Sequence, residues 1–145
     1  MVRKVVMIAF ALKWFPVVIL GLGLTGCNER HPQTYPVTIT ITYPDKKPVV
    51  GAQVAARSDE QKTVARGVTG NDGSCKLTTF KPADGVVLGR NLVSVAKPPL
   101  IGDPDKRYSG PLIADKFSNF TTSGLVVTVT EDASKNSFPL TITAK

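Results

Sequence analysis

The chain has 145 residues, with 18 lysines and arginines against 11 acidic residues and a formal net charge of +7. It contains one histidine and two cysteines. Ser-His-Asp and Cys-His hydrolases need a rigidly held histidine, and a zinc site needs several histidine or cysteine ligands, so this composition argues against both classes. The basic residues are scattered along the chain, which argues against nucleic-acid binding.

The amino-terminal segment has the pattern of an export signal. Arg3, Lys4 and Lys13 supply positive charge, and residues 14–24 form a short apolar run. This arrangement is typical of a signal peptide. The run is too short for a spanning helix, which needs about 20 apolar residues, and extending it backwards would bury Lys13 at a cost of about 3 kcal/mol. We therefore expect residues 1–26 to be a signal peptide.

The four residues Leu24, Thr25, Gly26 and Cys27 end this run and have the form of a lipobox. Small residues before the cysteine give a peptidase access to the scissile bond, and the Cys27 thiolate can accept diacylglycerol. The pattern predicts lipidation at Cys27 and stable attachment to the membrane, because more than one acyl chain makes anchoring firm. An ordinary secretory signal followed by a chance cysteine is the alternative.

A polar stretch, residues 27–36, follows the cleavage site and contains two prolines and the single histidine, His31. We expect it to be a lipidated tether that carries a domain formed by residues 37–145. In some bacteria an Asp directly after the lipidated cysteine retains the protein at the inner membrane. The chain has Asn28 there, which favours the outer membrane.

The pattern of residues 37–145 predicts an all-β domain. Seven stretches have a strand-like pattern, and in most of them apolar residues recur at every second position; the stretches are 37–43, 52–56, 64–68, 75–79, 92–96, 125–130 and 138–142. Turn residues separate these stretches, and Gly70-Asn71-Asp72-Gly73 predicts a β-hairpin. No stretch after the signal has the spacing of an amphipathic helix. The pattern is typical of an antiparallel β-sandwich of about seven strands.

The two cysteines have different expected roles. Lipid attachment would consume Cys27 and leave Cys75 unpaired, so we expect no disulfide. Cys75 lies in a strand-like stretch, which predicts a buried thiol that packs as a small hydrophobic group.

The longest irregular stretch, residues 97–122, is the candidate loop for a ligand or partner. Its candidate residues are Asp103, Asp105, Arg107 and Tyr108. Acidic residues two positions apart could hold calcium or act on a sugar, but the basic residues that follow them would compete as counter-charges. A solvated loop is the alternative.

Three aromatic residues of the same stretch have two possible roles. Tyr108, Phe117 and Phe120 could form a recognition surface, or they could close the open end of the sandwich. The second role needs no partner and is the simpler interpretation.

Residues 43–77 resemble the carboxypeptidase regulatory-like domain. The similarity rests on Tyr-Pro-Asp-Lys-Lys-Pro-Val-Val-Gly-Ala-Gln-Val at the start of this range and Gly-Val-Thr-Gly-Asn-Asp-Gly-Ser-Cys-Lys-Leu at its end. Leu77 matches the aromatic-x-Leu strand of the family. Cys75 stands in place of the aromatic residue, and Gly70 in place of a common Asp. Segments 79–85, 113–117 and 122–125 also look like those of small bacterial lipoproteins built on this domain.

The resemblance implies a transthyretin-like, prealbumin-type sandwich that serves as a noncatalytic accessory, adhesion or structural module. A transthyretin-related enzyme that opens hydroxyisourate rings is a relative by fold, but its several histidines and its carboxy-terminal Tyr-Arg-Gly-Ser are missing here. Fold similarity alone does not carry function.

Together these observations predict a lipid-anchored envelope protein without enzymatic activity, metal or cofactor. Its expected partners are the membrane, through the anchor, and an envelope protein or polysaccharide that the sandwich recruits or supports. The alternatives are a small-ligand or calcium-binding module, or an enzyme acting on envelope carbohydrate, each using residues 97–122. A purely structural spacer is a third possibility.

Overall fold

The computed structural model describes residues 31–97 and 112–145, and within them the chain forms nine β-strands and two short 3-10 turns. The strands are β1 (Thr34–Tyr35), β2 (Thr38–Thr42), β3 (Gln53–Ser58), β4 (Thr63–Val68), β5 (Ser74–Lys76), β6 (Val86–Val87), β7 (Gly89–Ala96), β8 (Leu125–Val129) and β9 (Ser137–Thr141). The 3-10 turns are Asp115–Ser118 and Ala133–Lys135. The predicted all-β class is confirmed, and a strand is present in each of the seven predicted stretches. Across the described ranges, none of the helices has the length and apolar character needed to cross a bilayer.

The strands form two main sheets and one small pair. The four-stranded sheet has the order β4-β3-β7-β8, and all its neighbours are antiparallel. The three-stranded sheet has the order β5-β2-β9, in which β2 and β5 are antiparallel and β2 and β9 are parallel. β1 pairs with β6 in an antiparallel ribbon.

Among the described strands, the parallel pair of β2 and β9 is the one exception to the antiparallel sandwich that the sequence predicted. Alternation of apolar residues shows which face of a strand is buried, but it carries no information on the direction of the neighbouring strand. The chain leaves the four-stranded sheet at its edge strand β8, and β9 then lies beside β2 and runs in the same direction.

The core lies between the two main sheets and is built from the alternating apolar residues. Ile39 and Ile41 of β2 are fully buried, and the three threonines that alternate with them are half-buried on the opposite face. The other main contributors are Val54, Ala56, Leu77, Val93, Val95, Val127, Val129 and Ile142. Complete burial of a valine, leucine or isoleucine side chain stabilises a fold by about 1.5–3 kcal/mol. Apolar alternation along the strands therefore holds the two sheets together.

The turn at residues 70–73 forms as predicted, but it does not make a hairpin between neighbouring strands. Gly73 has a φ of +75°, and a Cβ there would lie 2.5 Å from the Ile41 carbonyl oxygen, so glycine is required. The turn joins β4 of the four-stranded sheet to β5 of the three-stranded sheet. Turn residues determine the local reversal of the chain, whereas burial of Cys75 and Leu77 decides which sheet the following strand enters.

The described fold begins before residue 37. Thr34 and Tyr35, which the sequence analysis assigned to the tether, pair with Val87 and Val86. Gly85 allows this approach, because a Cβ on it would lie 1.7 Å from the Tyr35 carbonyl oxygen. Residues 27–30 of the predicted tether lie outside the described residues.

Candidate functional site

The site residues predicted from sequence lie outside the described parts of the chain. These are the lipobox residues Leu24, Thr25, Gly26 and Cys27, and the loop residues Asp103, Asp105, Arg107 and Tyr108. Lipidation of Cys27 therefore stays a prediction, and so does a ligand or calcium site at the four loop residues.

The last part of the 97–122 stretch is described and belongs to the domain. Ile113 and Phe117 are buried in the core, and the 3-10 turn that carries Phe117 packs against β7. The Phe120 ring lies under the Arg57 guanidinium, whose central carbon is 4.7 Å from the ring centroid. Asp59 Oδ1 is 2.9 Å from Arg57 Nε and forms an ion pair with it. Both phenylalanines are thus engaged within the fold, which supports the closing role.

An open cleft of about 490 Å³ lies at one end of the sandwich. Its lining residues are Tyr43, Pro44, Asp45, Lys47, Leu112, Thr143 and Ala144. The lining residues come from three separate segments. These are the turn after β2, the residues after β9, and Leu112. Sequence reasoning missed this cleft because its walls are far apart in the chain.

Hydrogen bonds hold the three segments of the cleft in place. The Tyr43 hydroxyl donates to the Leu112 carbonyl at 3.0 Å. The Ala114 N–H donates to the Thr143 carbonyl at 3.1 Å. The turn from Tyr43 to Lys47 is closed by the Tyr43 N–H, which donates to the Lys47 carbonyl at 2.9 Å. These bonds fix the Tyr43 ring, the aromatic wall of the cleft, relative to the residues that follow β9.

The charges of the cleft lie at its exposed rim. Lys47 Nζ is 2.9 Å from Asp45 Oδ2. This contact lowers the pKa of Asp45 and raises that of Lys47, so both are charged at neutral pH. Burial raises the pKa of Tyr43, and the negative Asp45 raises it further, so its hydroxyl stays protonated. Leu112 is 58% exposed. An apolar wall with a few polar groups at its rim suits binding, and the lining residues that the structure describes include no histidine or cysteine for nucleophilic catalysis.

A second concavity lies beside the amino-terminal strand and involves the single histidine. The His31 ring stacks on Phe80, with ring centroids 4.3 Å apart and an angle of 22° between the planes. Asp84 lines the same concavity, and its oxygens accept the backbone N–H groups of Thr79, Phe80 and Lys81. Burial alone would raise the pKa of Asp84, but these N–H groups outweigh it and the pKa is lowered. Asp84 therefore holds a turn. Its position before Gly85 was the sequence signal for that role.

Cys75 is buried, as the sequence predicted. Burial raises the pKa of its thiol to about 11, so the group is protonated at neutral pH and is a poor nucleophile. Within residues 31–97 and 112–145, no three His, Cys, Asp or Glu side chains are grouped so that they could hold a metal ion.

Comparison with known proteins gives limited information. No protein-family model matches the chain, and no curated protein matches it in sequence. Among solved structures, it is similar to BcpA, the major pilin subunit of Bacillus cereus, with 15% sequence identity and a TM-score of 0.46. The match covers 79% of this chain and 31% of the pilin chain, so the chain spans less than a third of that protein. Similarity at this level carries no information on activity or partners.

Proposed function

We propose that the protein is a lipid-anchored, noncatalytic β-sandwich of the bacterial cell envelope that binds or supports a protein or polysaccharide partner. The observation that carries the proposal is the lipobox Leu24-Thr25-Gly26-Cys27 at the end of a short apolar run. Asn28 after the lipidated cysteine favours the outer membrane. The resemblance to carboxypeptidase regulatory-like domains is in keeping with an accessory role.

Three features of the described domain support a noncatalytic role. The His31 ring is stacked on Phe80, the Cys75 thiol is buried and protonated, and the Asp84 carboxylate is occupied by backbone N–H groups. These three side chains, each of a type that can transfer a proton or act as a nucleophile, are therefore packed or hydrogen-bonded in structural roles.

The cleft between Tyr43 and Leu112 is the surface that we assign to the partner. It combines an exposed apolar side chain, an aromatic ring and the Asp45–Lys47 pair at the rim. Aromatic and aliphatic walls can pack on a sugar ring or an apolar peptide side chain, while the rim supplies donors and acceptors.

Anchoring is tested with the Cys27→Ala variant in cells of a bacterium that lipidates proteins. Wild type should incorporate labelled palmitate and fractionate with the membrane, whereas Cys27→Ala should incorporate none. Cys75→Ala is the matched control, because it removes the other cysteine of the chain and should leave labelling unchanged. A wild-type protein that keeps its initiator methionine and carries no acyl chain on Cys27 would refute the anchor.

Partner binding is tested by a photo-crosslinking amino acid placed at Leu112 of the full-length protein in intact cells. The expected result is a defined crosslinked product that mass spectrometry identifies as one envelope protein or glycan. The same group at Val68, which is 60% exposed at the end of β4, is the control. Equal products from both positions, or none from Leu112, would contradict the assignment of the cleft.

A further inference from the structure

The two main sheets have four edge strands among the described residues, namely β4, β5, β8 and β9. An edge strand presents unpaired backbone N–H and C=O groups to which another strand can bind. Native proteins usually block such edges with charges, proline, short strands or covering segments. Three of these edges are blocked in recognisable ways, and β8 is not.

A backbone bridge joins β4 to the residues after β5 on one side of the sandwich. The Arg66 N–H donates to the Thr78 carbonyl at 2.8 Å, and the Thr78 N–H donates to the Arg66 carbonyl at 2.8 Å. The Arg66 side chain is exposed and adds charge to this edge. β5 is only three residues long and ends at Lys76. This side of the sandwich offers little to an incoming strand.

β9 is blocked by proline. At one end of the β2/β9 pair the Thr38 N–H donates to the Asn136 carbonyl at 3.0 Å. At the other end the Ile142 N–H donates to the Thr42 carbonyl at 3.0 Å. Backbone groups alternate between the two sides of a strand, so the even-numbered residues of β9 face β2 and the odd-numbered residues face outward. The central outward residue is Pro139, which has no N–H to donate.

β8 presents the backbone groups of Val126 and Thr128 to the outside. The Thr69 N–H donates to the Ala52 carbonyl at 2.9 Å, which fixes the residues of β3 that face β4. In an antiparallel pair, two directly opposite residues either both bond to each other or both point their backbone groups away. The registers of β3 with β4, β3 with β7 and β7 with β8 therefore determine which residues of each strand face which neighbour. The odd-numbered residues of β8 therefore face β7, and the N–H and C=O groups of Val126 and Thr128 lie at the free edge.

Asn136 closes one end of this edge. Its Nδ2 donates to the Thr130 carbonyl at 2.8 Å, and its Oδ1 accepts the Thr130 N–H at 2.9 Å. At the other end β8 begins at Leu125, directly after Gly124, whose φ is +67°. Between these ends, the outward backbone groups of β8 have no hydrogen-bond partner within the described residues.

We propose that β8 pairs with β8 of a second copy of this chain, antiparallel and centred on Val127. In this register Val126 lies opposite Thr128 of the other copy, and Thr128 lies opposite its Val126. Each of the four outward backbone groups of one copy then has a partner, which gives four hydrogen bonds about a two-fold axis. The two four-stranded sheets become one continuous sheet. This proposal is independent of the function proposed above.

The side chains of β8 are compatible with this pairing. The strand contains no charged residue, so no like charges are brought face to face. Val126 is 41% exposed and would be covered by the other copy. Arg90 lies beside Thr128 in the sheet, and Leu92 lies beside Val126. In the proposed register each Arg90 would therefore be in line, across the two β8 strands, with Leu92 of the other copy. The two Arg90 side chains would not be in line with each other.

The short length of the free edge favours a second copy as its occupant. A long incoming strand would meet Asn136 at one end and would run past Gly124, where β8 begins, at the other. A second β8 offers the same two positions with the same spacing and is equally short. The contact is small compared with the roughly 1,200 Å² that stable interfaces bury, so we expect a weak dimer that depends on concentration.

Cysteine pairs in the full-length protein test the register. One tagged chain carries Val126→Cys, a differently tagged chain carries Thr128→Cys, and both are expressed in the same cells and mildly oxidised. Directly opposite residues have Cβ atoms about 4.5–5.5 Å apart, close enough for a disulfide after small adjustments, so a mixed disulfide between the two tags is expected. Val68→Cys, on the β4 edge of the same sheet, replaces Val126→Cys in the control.

Charge at the edge provides the second measurement. Val126→Lys, added to the chain that carries Thr128→Cys, should lower the crosslinked dimer fraction at least about tenfold, because an edge lysine opposes strand pairing. Val68→Lys in the same chain should leave the fraction unchanged, and both variants should unfold at the wild-type temperature. Thr128→Lys, added to the chain that carries Val126→Cys, serves if Val126→Lys does not fold. A protein that stays monomeric at all concentrations, a mixed disulfide no stronger than with Val68→Cys, or a dimer that survives both β8 lysines would overturn the proposal.

Discussion

The Asp84 carboxylate fixes the turn that precedes β6. Its Oδ1 accepts the Thr79 N–H at 2.7 Å, and its Oδ2 accepts the N–H groups of Phe80 and Lys81, each at 3.0 Å. The next residue, Gly85, donates its N–H to the Leu77 carbonyl at 3.0 Å. One carboxylate thus positions the chain for β6, and through β6 it positions the amino-terminal strand β1.

The first prediction concerns Asp84→Asn. The amide nitrogen cannot accept a hydrogen bond, so at least one of the three backbone N–H groups loses its acceptor, and we expect a loss of about 1–3 kcal/mol in unfolding free energy. Guanidinium unfolding of the protein at pH 7 measures this loss. Glu131→Gln, an exposed carboxylate-to-amide change of the same kind, is the control and should be neutral.

The same substitution should change the response to acid. The folded-state pKa of Asp84 lies below the usual value of 3.8, so ionised Asp84 stabilises the fold above that value, and this stabilisation is lost as the pH falls through the folded-state pKa. Wild type should therefore lose more stability than Asp84→Asn between pH 5 and the acid limit of folding, and thermal unfolding at a series of pH values measures it. Parallel acid profiles for the two proteins would contradict this role of the carboxylate. Other carboxylates with lowered pKa values contribute equally to both proteins, and these are Asp45, Asp72, Asp115 and Asp132.

At the scale of the strands, the sequence could predict whatever repeats along a single segment. Ile39 and Ile41 alternate with threonines, and β2 forms there with that face buried. β1 and β6 contain two residues each, too few to show a period of two, so they could not be predicted. Strand direction and sheet membership depend on contacts between distant segments. For this reason the parallel β2/β9 pair and the passage from β4 to β5 differed from expectation.

Asn136 is a strand-level feature that the sequence did not reveal. It is 2% exposed, and its side-chain amide bonds both the N–H and the C=O of Thr130, as a neighbouring strand would. We predict that Asn136→Ala lowers the unfolding free energy by about 1–3 kcal/mol, because two backbone groups at the end of β8 lose their partner. Guanidinium unfolding measures the change.

Asn71→Ala is the comparison for this prediction, since Asn71 is an exposed asparagine in the turn after β4 and should be nearly neutral. Asn136→Asp should fall between the two, because its oxygen can still accept the Thr130 N–H while the bond to the Thr130 carbonyl is lost. Equal stability of Asn136→Ala and wild type would show that water replaces the amide at no cost.

At the scale of the whole molecule, the two candidate sites differ in how far sequence can predict them. A lipobox is read by a peptidase as a linear segment, so Leu24 to Cys27 can be recognised without a fold. The cleft depends on Tyr43 and Leu112, which are 69 positions apart and meet through one hydrogen bond. No local pattern connects these residues, and folding has to bring them together before the surface exists.

The final prediction concerns the membrane in which the whole molecule is located. If Cys27 is lipidated, residue 28 lies next to the lipid and is presented to the sorting machinery at the membrane surface. Asn28→Asp adds a negative charge there and leaves the sandwich unchanged, so we expect the protein to shift from the outer to the inner membrane fraction of a bacterium with two membranes. Separation of the membranes on a density gradient, followed by immunodetection, measures the distribution. Asn28→Ser is the matched control and should stay with the outer membrane. If Asn28→Asp and Asn28→Ser distribute alike while both remain acylated, residue 28 does not direct sorting, and the preference for the outer membrane loses its basis.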